Sequence, residues 1–189
     1  MAKGLQRSLS RGDRAQTEVI RSIALGSPVV GTATLVKAAI ALTVGAQAGI
    51  TAGITSPAVP RNITVKGNAS GIAGDVVIHG TNREGATISE TIALNGATEA
   101  VGAKAFATVT SIDYPAETHS GTDTVSIGAG AKIGLGVRLP RNTVIAAFLA
   151  GVREATAPTV AVSSSALESN TVTLSSTLDG TAVVVDLYE

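Results

Sequence analysis

Short stretches rich in Val, Ile and Thr, separated by turn-forming residues, recur along the sequence from Pro28 onward. Residues 87–94 show the pattern best, because apolar and hydroxyl side chains alternate there with the two-residue period of a strand. Branching at Cβ restricts χ1 and favours the pleated, half-buried surface of a sheet. Many short strands of this kind predict an antiparallel sandwich or barrel, and no alternating helical segments suggest a parallel α/β sheet. We therefore predict an all-β fold, an antiparallel β-sandwich or barrel-like domain.

The predicted strands are bounded by glycine, asparagine, aspartate and proline. They cover residues 29–37, 38–44, 61–66, 75–81, 87–94, 104–113, 122–127, 132–139, 143–152, 171–174 and 181–187. Asn95-Gly96 and Asp179-Gly180 are typical of tight turns, because both tolerate positive φ. We expect three hairpins: 61–66 with 75–81, 122–127 with 132–139 across Gly128-Ala129-Gly130, and 171–174 with 181–187. For residues 143–152 a helix is the competing prediction.

Residues 1–27 differ from the rest of the chain, and we predict an N-terminal arm there and a β-domain over residues 28–189. Five basic residues against two acidic ones give this segment a charge of +3 and leave −3 for the remainder. A capping box at Asp13 and an apolar edge predict a short helix from about Arg14 to Leu25, which Gly26 and Pro28 would end. Two interpretations stay open: a tether that docks on an acidic partner surface, or a frayed terminus.

Composition excludes several classes of protein. The 14 basic and 14 acidic residues cancel, so no overall positive field attracts nucleic acid. Cysteine is absent, which excludes disulfide scaffolds and thiolate chemistry. Aromatic residues make up 2% of the chain, which argues against modules that stack sugars or bases on exposed rings. The first residues lack the apolar region of a signal peptide, and the apolar window 38–54 is too short and glycine-rich to predict a membrane span.

Candidate catalytic residues are few. His119 has Ser120 and Asp123 nearby in sequence, but the pattern G-x-S-x-G is missing and sequence neighbours do not make a triad. His79 falls in a predicted strand on the face opposite its apolar neighbours, which indicates a residue at the rim of a sheet. Residues 128–134 fit the nucleotide-binding glycine pattern poorly. We predict no enzyme activity, no catalytic or metal-binding residue and no cofactor.

Two neighbouring runs resemble a recurrent pattern of tailed-bacteriophage virion proteins. They are GTNREG at 80–85 with ISETIALNG at 88–96, followed by KAFATVTSI at 104–112. Residues 123–128, 132–136, 170–172 and 178–183 also fit that pattern, so the resemblance extends over about residues 60–187. It includes no catalytic residue, and the basic N-terminal segment is not part of it.

The resemblance implies a non-enzymatic structural protein on the capsid exterior of the virion, made in the bacterial host cytoplasm. The first interpretation is a capsid decoration or cement protein that binds and stabilises the assembled major-capsid lattice. The alternatives are a tail-tube or head-tail connector protein, or a host-surface binding module of adhesin type. Expected partners are the major capsid protein and further copies of the chain, as a homotrimer or another oligomer, without nucleic acid or membrane. The expected partner contacts in the arm are Arg7, Arg11, Arg14, Val19, Ile20, Arg21 and Ile23.

Overall fold

The structure, a computed structural model, describes residues 19–188 and is built from antiparallel strands, as the sequence predicts. One 3-10 turn, Leu167–Ser169, is the sole helical element of this part of the chain. The strands are β1 (Ile20–Gly26), β2 (Lys37–Ala41), β3 (Gln47–Ile50), β4 (Arg61–Gly67), β5 (Asp75–Thr81), β6 (Thr87–Ala93), β7 (Ala100–Phe106), β8 (Thr108–Tyr114), β9 (Thr124–Gly134), β10 (Val144–Leu149), β11 (Val152–Arg153), β12 (Thr159–Ala161), β13 (Thr171–Thr173) and β14 (Val183–Tyr188).

The strands form three sheets. The terminal sheet has the order β1-β14-β10-β11, and the lateral sheet has the order β3-β8-β5-β6. The central sheet has the order β12-β13-β9-β4-β7, with β2 also paired to β9. Consecutive strands pair at β5–β6, β10–β11 and β12–β13, and the other connections cross between sheets, so the pairing is mostly long-range in sequence.

Strand β9 links the two hydrophobic cores of the molecule. Its first half contributes Val125, Ile127 and Ala129 to the first core, between the central and lateral sheets. Its last residues contribute Ile133 to the second core, which the inner face of the terminal sheet completes. Burial of side chains in both cores supplies the main driving force for folding. The second core contains Ile23, Leu25, Val59, Ile133, Leu135, Leu139, Ala147, Val172, Leu174, Leu178, Val183, Val185 and Leu187.

The hairpin predicted across Gly128-Ala129-Gly130 is wrong, because these residues lie inside the continuous strand β9. Their glycines serve close packing instead of a turn. A Cβ atom on Gly128 would lie 2.3 Å from the carbonyl oxygen of Thr32, and one on Gly130 would lie 2.5 Å from Asn62 Nδ2. Contacts this short are not available to any other residue, so glycine is required here.

The helix predicted from Arg14 to Leu25 is wrong over residues 20–25, which belong to strand β1; residues 14–18 lie outside the described residues. Strand β1 pairs with β14 from Ile20 opposite Tyr188 to Gly26 opposite Val183. Ile23 and Leu25 are buried in the second core with the period of a strand. Long-range pairing and burial therefore override the local capping signal.

The other two predicted hairpins place strands correctly but pair them wrongly. β4 pairs with β7 and β9, whereas β5 pairs with β6 and β8. β13 pairs with β9 and β12, whereas β14 pairs with β1 and β10. Residues 29–36 form no strand. Residues 104–113 belong to two strands, and residues 144–149 form a strand, not a helix.

A carboxylate joins the lateral sheet to the central sheet at a place where no backbone ladder does. Glu90 on β6 accepts hydrogen bonds from the backbone N–H groups of Ala103, at 2.6 Å, and Lys104, at 3.3 Å. A Cβ atom on Gly102 would lie 2.7 Å from Glu90 Oε2, so the glycine makes room for this bridge. Glu90, the polar residue that interrupts the apolar side of β6, therefore covers N–H groups of β7, while Lys104 Nζ donates back to the Ser89 carbonyl oxygen on β6.

Candidate interaction surface

The outer face of the terminal sheet is the side turned away from the second core. The register places Ile20 opposite Tyr188 and Ala24 opposite Val184, while Phe148 lies opposite Val184 on the other side. Residues directly opposite in antiparallel strands share a face of the sheet. The outer face therefore consists of Ile20, Ser22, Ala24, Ala146, Phe148, Arg153, Val184, Asp186 and Tyr188.

This face holds the only aromatic rings of the described residues that are not fully buried. The chain has two Phe and two Tyr residues. Phe106 and Tyr114 are buried in the first core, whereas Phe148 is half-buried and Tyr188 is 38% exposed. Ile20, opposite Tyr188, is 58% exposed. Aromatic and apolar side chains gathered on an exposed face are typical of protein–protein contact surfaces.

Polar groups and a cleft accompany the apolar residues. Ser22 Oγ donates a hydrogen bond to Asp186 Oδ1 at 2.5 Å in the middle of the face. Arg153 lies opposite Phe148 at the far edge. Beside it, a cleft of about 380 Å³ is lined by Ile145–Ala147 and residues 153–158. The surface thus combines an apolar strip with one anionic and one cationic side chain.

The structure separates the predicted arm contacts into three groups. Arg7, Arg11 and Arg14 lie outside the described residues. Val19, Ile20 and Arg21 are exposed, and Ile20 lies on the outer face.

Ile23 is 8% exposed and packs in the second core. The expectation that Ile23 anchors the arm on a partner is therefore corrected: it anchors strand β1 in its own domain.

His79 is paired with an acid on the open side of the lateral sheet. Its Nε2 lies 2.9 Å from Asp113 Oδ2, and both side chains are about one-third exposed, at 37% and 34%. The hydrogen bond that Gly49 N–H donates to Asp113, followed by that from His79, holds the pKa of this carboxyl below its usual value. Ser89 and Ser111 lie opposite His79 on the two neighbouring strands. Within the described residues no serine donates a hydrogen bond to the His79 ring, so the arrangement lacks an activated nucleophile.

The second histidine closes a loop. His119 Nδ1 lies 2.9 Å from Asp123 Oδ1, and Asp123 Oδ2 accepts the backbone N–H groups of Thr118 and His119. Burial alone would raise the pKa of Asp123, but these donors outweigh it and lower the pKa. Ser120 makes no hydrogen bond to His119 in the part of the chain that the structure describes. His119 and Asp123 therefore form a pair that holds the loop at residues 117–123.

A buried arginine clamps the segment that follows β1. Arg61 is 2% exposed; its guanidinium donates to the carbonyl oxygen of Gly130 through Nε, at 2.6 Å, and NH2, and to that of Val29 at 2.8 Å. No carboxylate faces it among residues 19–188, and burial lowers the pKa of Arg61. The Arg61 side chain thus joins residues 28–31 to the middle of β9. Sequence reasoning missed it, because a strand-starting arginine gives no local sign of burial.

Residues 19–188 contain no group of three or more metal-ligating side chains, and no helix in this range is long and apolar enough to cross a membrane. Comparisons with protein-family models, curated proteins and solved structures find no match. Sequence reasoning also missed Phe148 and Tyr188. The chain has only four aromatic residues, so each of them could have been treated as a candidate contact residue. That two of them share one face follows only from the strand pairing.

Proposed function

We propose that the protein is a non-enzymatic structural component of a tailed-phage virion, a capsid decoration protein that binds the assembled major-capsid lattice. The observation that carries the proposal is the outer face of the terminal sheet. It presents Ile20, Phe148 and Tyr188 to solvent beside the point at which the basic N-terminal segment enters the sheet. The resemblance of residues 80–96 and 104–112 to virion proteins supports the virion setting.

The mechanism is mechanical. A protein that binds the assembled lattice but not separated subunits stabilises the shell by mass action. The outer face would contact major-capsid subunits through apolar and aromatic side chains, which supply most of the affinity at protein interfaces. The basic residues of the arm would add charge-based contacts to an acidic capsid surface, and two linked weak contacts bind more tightly than either alone.

The test uses the full chain and shells of the producing phage from which the protein has been stripped. Wild-type protein is expected to sediment with the shells and to raise the temperature at which they open. Tyr188→Asp, which places a charge on the outer face, is expected to weaken binding at least tenfold. Thr91→Asp is the matched control, because Thr91 is exposed on strand β6 of the lateral sheet. Equal loss of binding in both variants would contradict the role of the outer face.

A cryo-EM map of the virions separates the alternatives. Density for residues 19–188 on the outer shell supports the proposal and gives the symmetry with which copies of the chain are arranged there. Density in the tail or neck would instead identify a tail-tube or connector protein. Absence from the particle, together with binding of the purified chain to host cells, would identify an adhesin-like module.

A further inference from the structure

Strand β1 is the one long, uncovered edge in the described part of the chain. The other outermost strands are shorter, with two residues in β11, three in β12, four in β3 and five in β2, which begins with Lys37. The edges of β6 and β7 are bridged by Glu90, which accepts from β7, and by Lys104 Nζ, which donates to the Ser89 carbonyl oxygen on β6. Strand β1 has seven residues and contains neither lysine nor proline, the residues that commonly block an edge.

The hydrogen-bonding direction along β1 follows from its neighbour β14. The backbone N–H of Tyr188 donates to Thr143 at 3.0 Å, on the side of β14 away from β1. Backbone groups alternate in direction along an antiparallel strand, so those of Leu187 and Val185 point toward β1. Their partners in register are Arg21 and Ile23. The N–H and C=O groups of Ile20, Ser22 and Ala24 therefore point away from the sheet.

The order of residues along this edge suits a second copy of the same strand. An antiparallel pair centred on Ser22 places Ile20 opposite Ala24 of the other copy, so that all three outward-facing residues form hydrogen-bonded pairs. A shift by one pair in one direction would place the two Arg21 side chains directly opposite each other, which is destabilising. A shift in the other direction would bring in Gly26, which lies beyond the bulge and has φ of +91°. Shifts in both directions are thus disfavoured, which leaves the register centred on Ser22.

We propose that two copies of this chain associate through antiparallel pairing of their β1 strands, with Ser22 facing Ser22 across a two-fold axis. The two terminal sheets become one continuous sheet of eight strands, and each exposed Ile20 gains an apolar neighbour on the outer face. The contact is isologous and closes on itself, so it yields a dimer and no filament. It replaces the three-fold association expected from the sequence, and it does not depend on whether the protein binds a capsid.

The absence of native cysteine allows a direct test with a single introduced thiol. In the proposed register the two Ser22 Cα atoms lie about 5.5 Å apart, a distance at which a disulfide forms. Full-length Ser22→Cys is expected to become a covalent dimer under mild oxidation at micromolar concentration. Thr91→Cys, exposed on strand β6 of the lateral sheet, is the matched control and is expected to stay uncrosslinked. Equal crosslinking of both variants would overturn the proposal.

A second pair of variants tests the interface without a covalent bond. Ser22→Pro removes an N–H group that points away from β14, so the β1–β14 ladder is retained. Ser22→Lys places two like charges on the proposed axis. Sedimentation is expected to give a dimer for the wild type and a monomer for both variants. A wild-type monomer, a wild-type trimer, or variants that remain dimeric would each overturn the proposal. If that wild-type monomer also protects its Ser22 amide from hydrogen exchange, the edge is covered within the same chain instead of by a second copy.

Discussion

Replacing Arg61 by methionine tests whether a buried cation with carbonyl partners alone stabilises this fold. The substitution keeps most of the side-chain length and removes every donor to Gly130 and Val29. Both carbonyl oxygens then lose their guanidinium partner beneath the segment at residues 28–31. A buried acceptor left without a partner costs about 1–3 kcal/mol, and these two hydrogen bonds are part-buried, so each loss lies toward the lower end of that range.

An opposing effect reduces this cost. Arg61 is 2% exposed and its guanidinium faces no carboxylate in the described residues, so methionine removes the penalty of burying an uncompensated charge. Weighing the two effects, we expect Arg61→Met to lower the free energy of unfolding by about 1–3 kcal/mol. That is a large part of the total stability of a typical domain.

Urea unfolding followed by far-ultraviolet circular dichroism measures the effect. Arg61→Lys is the control, since it keeps the charge but cannot reach two carbonyl groups with one rigid fork, and we expect an intermediate loss. If the methionine variant is as stable as the wild type or more stable, the burial cost of the charge exceeds the worth of its hydrogen bonds. The contacts of Arg61 with Val29 and Gly130 would then make no net contribution to the stability of the fold.

Three further predictions concern the cores and the sheet surface. A Cβ atom on Gly80 would lie 1.9 Å from a backbone oxygen of β8, so Gly80→Ala should lower the melting temperature markedly, whereas Gly45→Ala, with no atom within 4 Å, should not. The Tyr114 hydroxyl is buried without a partner in the described residues, so Tyr114→Phe should leave stability in urea unchanged or raise it by up to about 1 kcal/mol. The pKa of Asp113 is lower in the folded state than in the unfolded state. The ionised carboxylate therefore stabilises the fold above pH about 4, and this contribution is lost as pH falls through the folded pKa. Asp113→Asn should accordingly reduce the loss of stability at acidic pH. A wild-type acid limb unchanged by that substitution would show that the Asp113 contacts do not matter.

Local patterns predict individual strands well in this chain. Residues 87–94 alternate between the core and solvent, and strand β6 follows, with Ile88 and Ile92 buried. Local patterns do not predict which strands pair, because β9 pairs with strands that are far apart in the sequence. The glycines at 128 and 130 look like a turn locally, and only the presence of Thr32 and Asn62 beside them explains their use.

The surface features depend on that same long-range pairing. Ile20 and Tyr188 are 168 positions apart and become neighbours only through the β1–β14 ladder. The local signals around residues 13–25 favour a helix, and burial of Ile23 and Leu25 against the terminal sheet decides otherwise. For the same reason, no sequence pattern singles out Arg61: its burial results from the segment at residues 28–31 crossing over it.

The pairing of Ile20 with Tyr188 has a mechanical consequence. Both residues lie at the same end of the β1–β14 ladder, while Gly26 and Val183 lie at the other end. A force applied between residues 20 and 188 therefore peels the two strands apart one pair at a time, each step resisted by few hydrogen bonds. A force applied between residues 26 and 188 would instead load all pairs of the ladder together in shear. The β1–β14 ladder is thus expected to open at low force when residues 20 and 188 are pulled apart. It is expected to need a higher force when residues 26 and 188 are pulled apart.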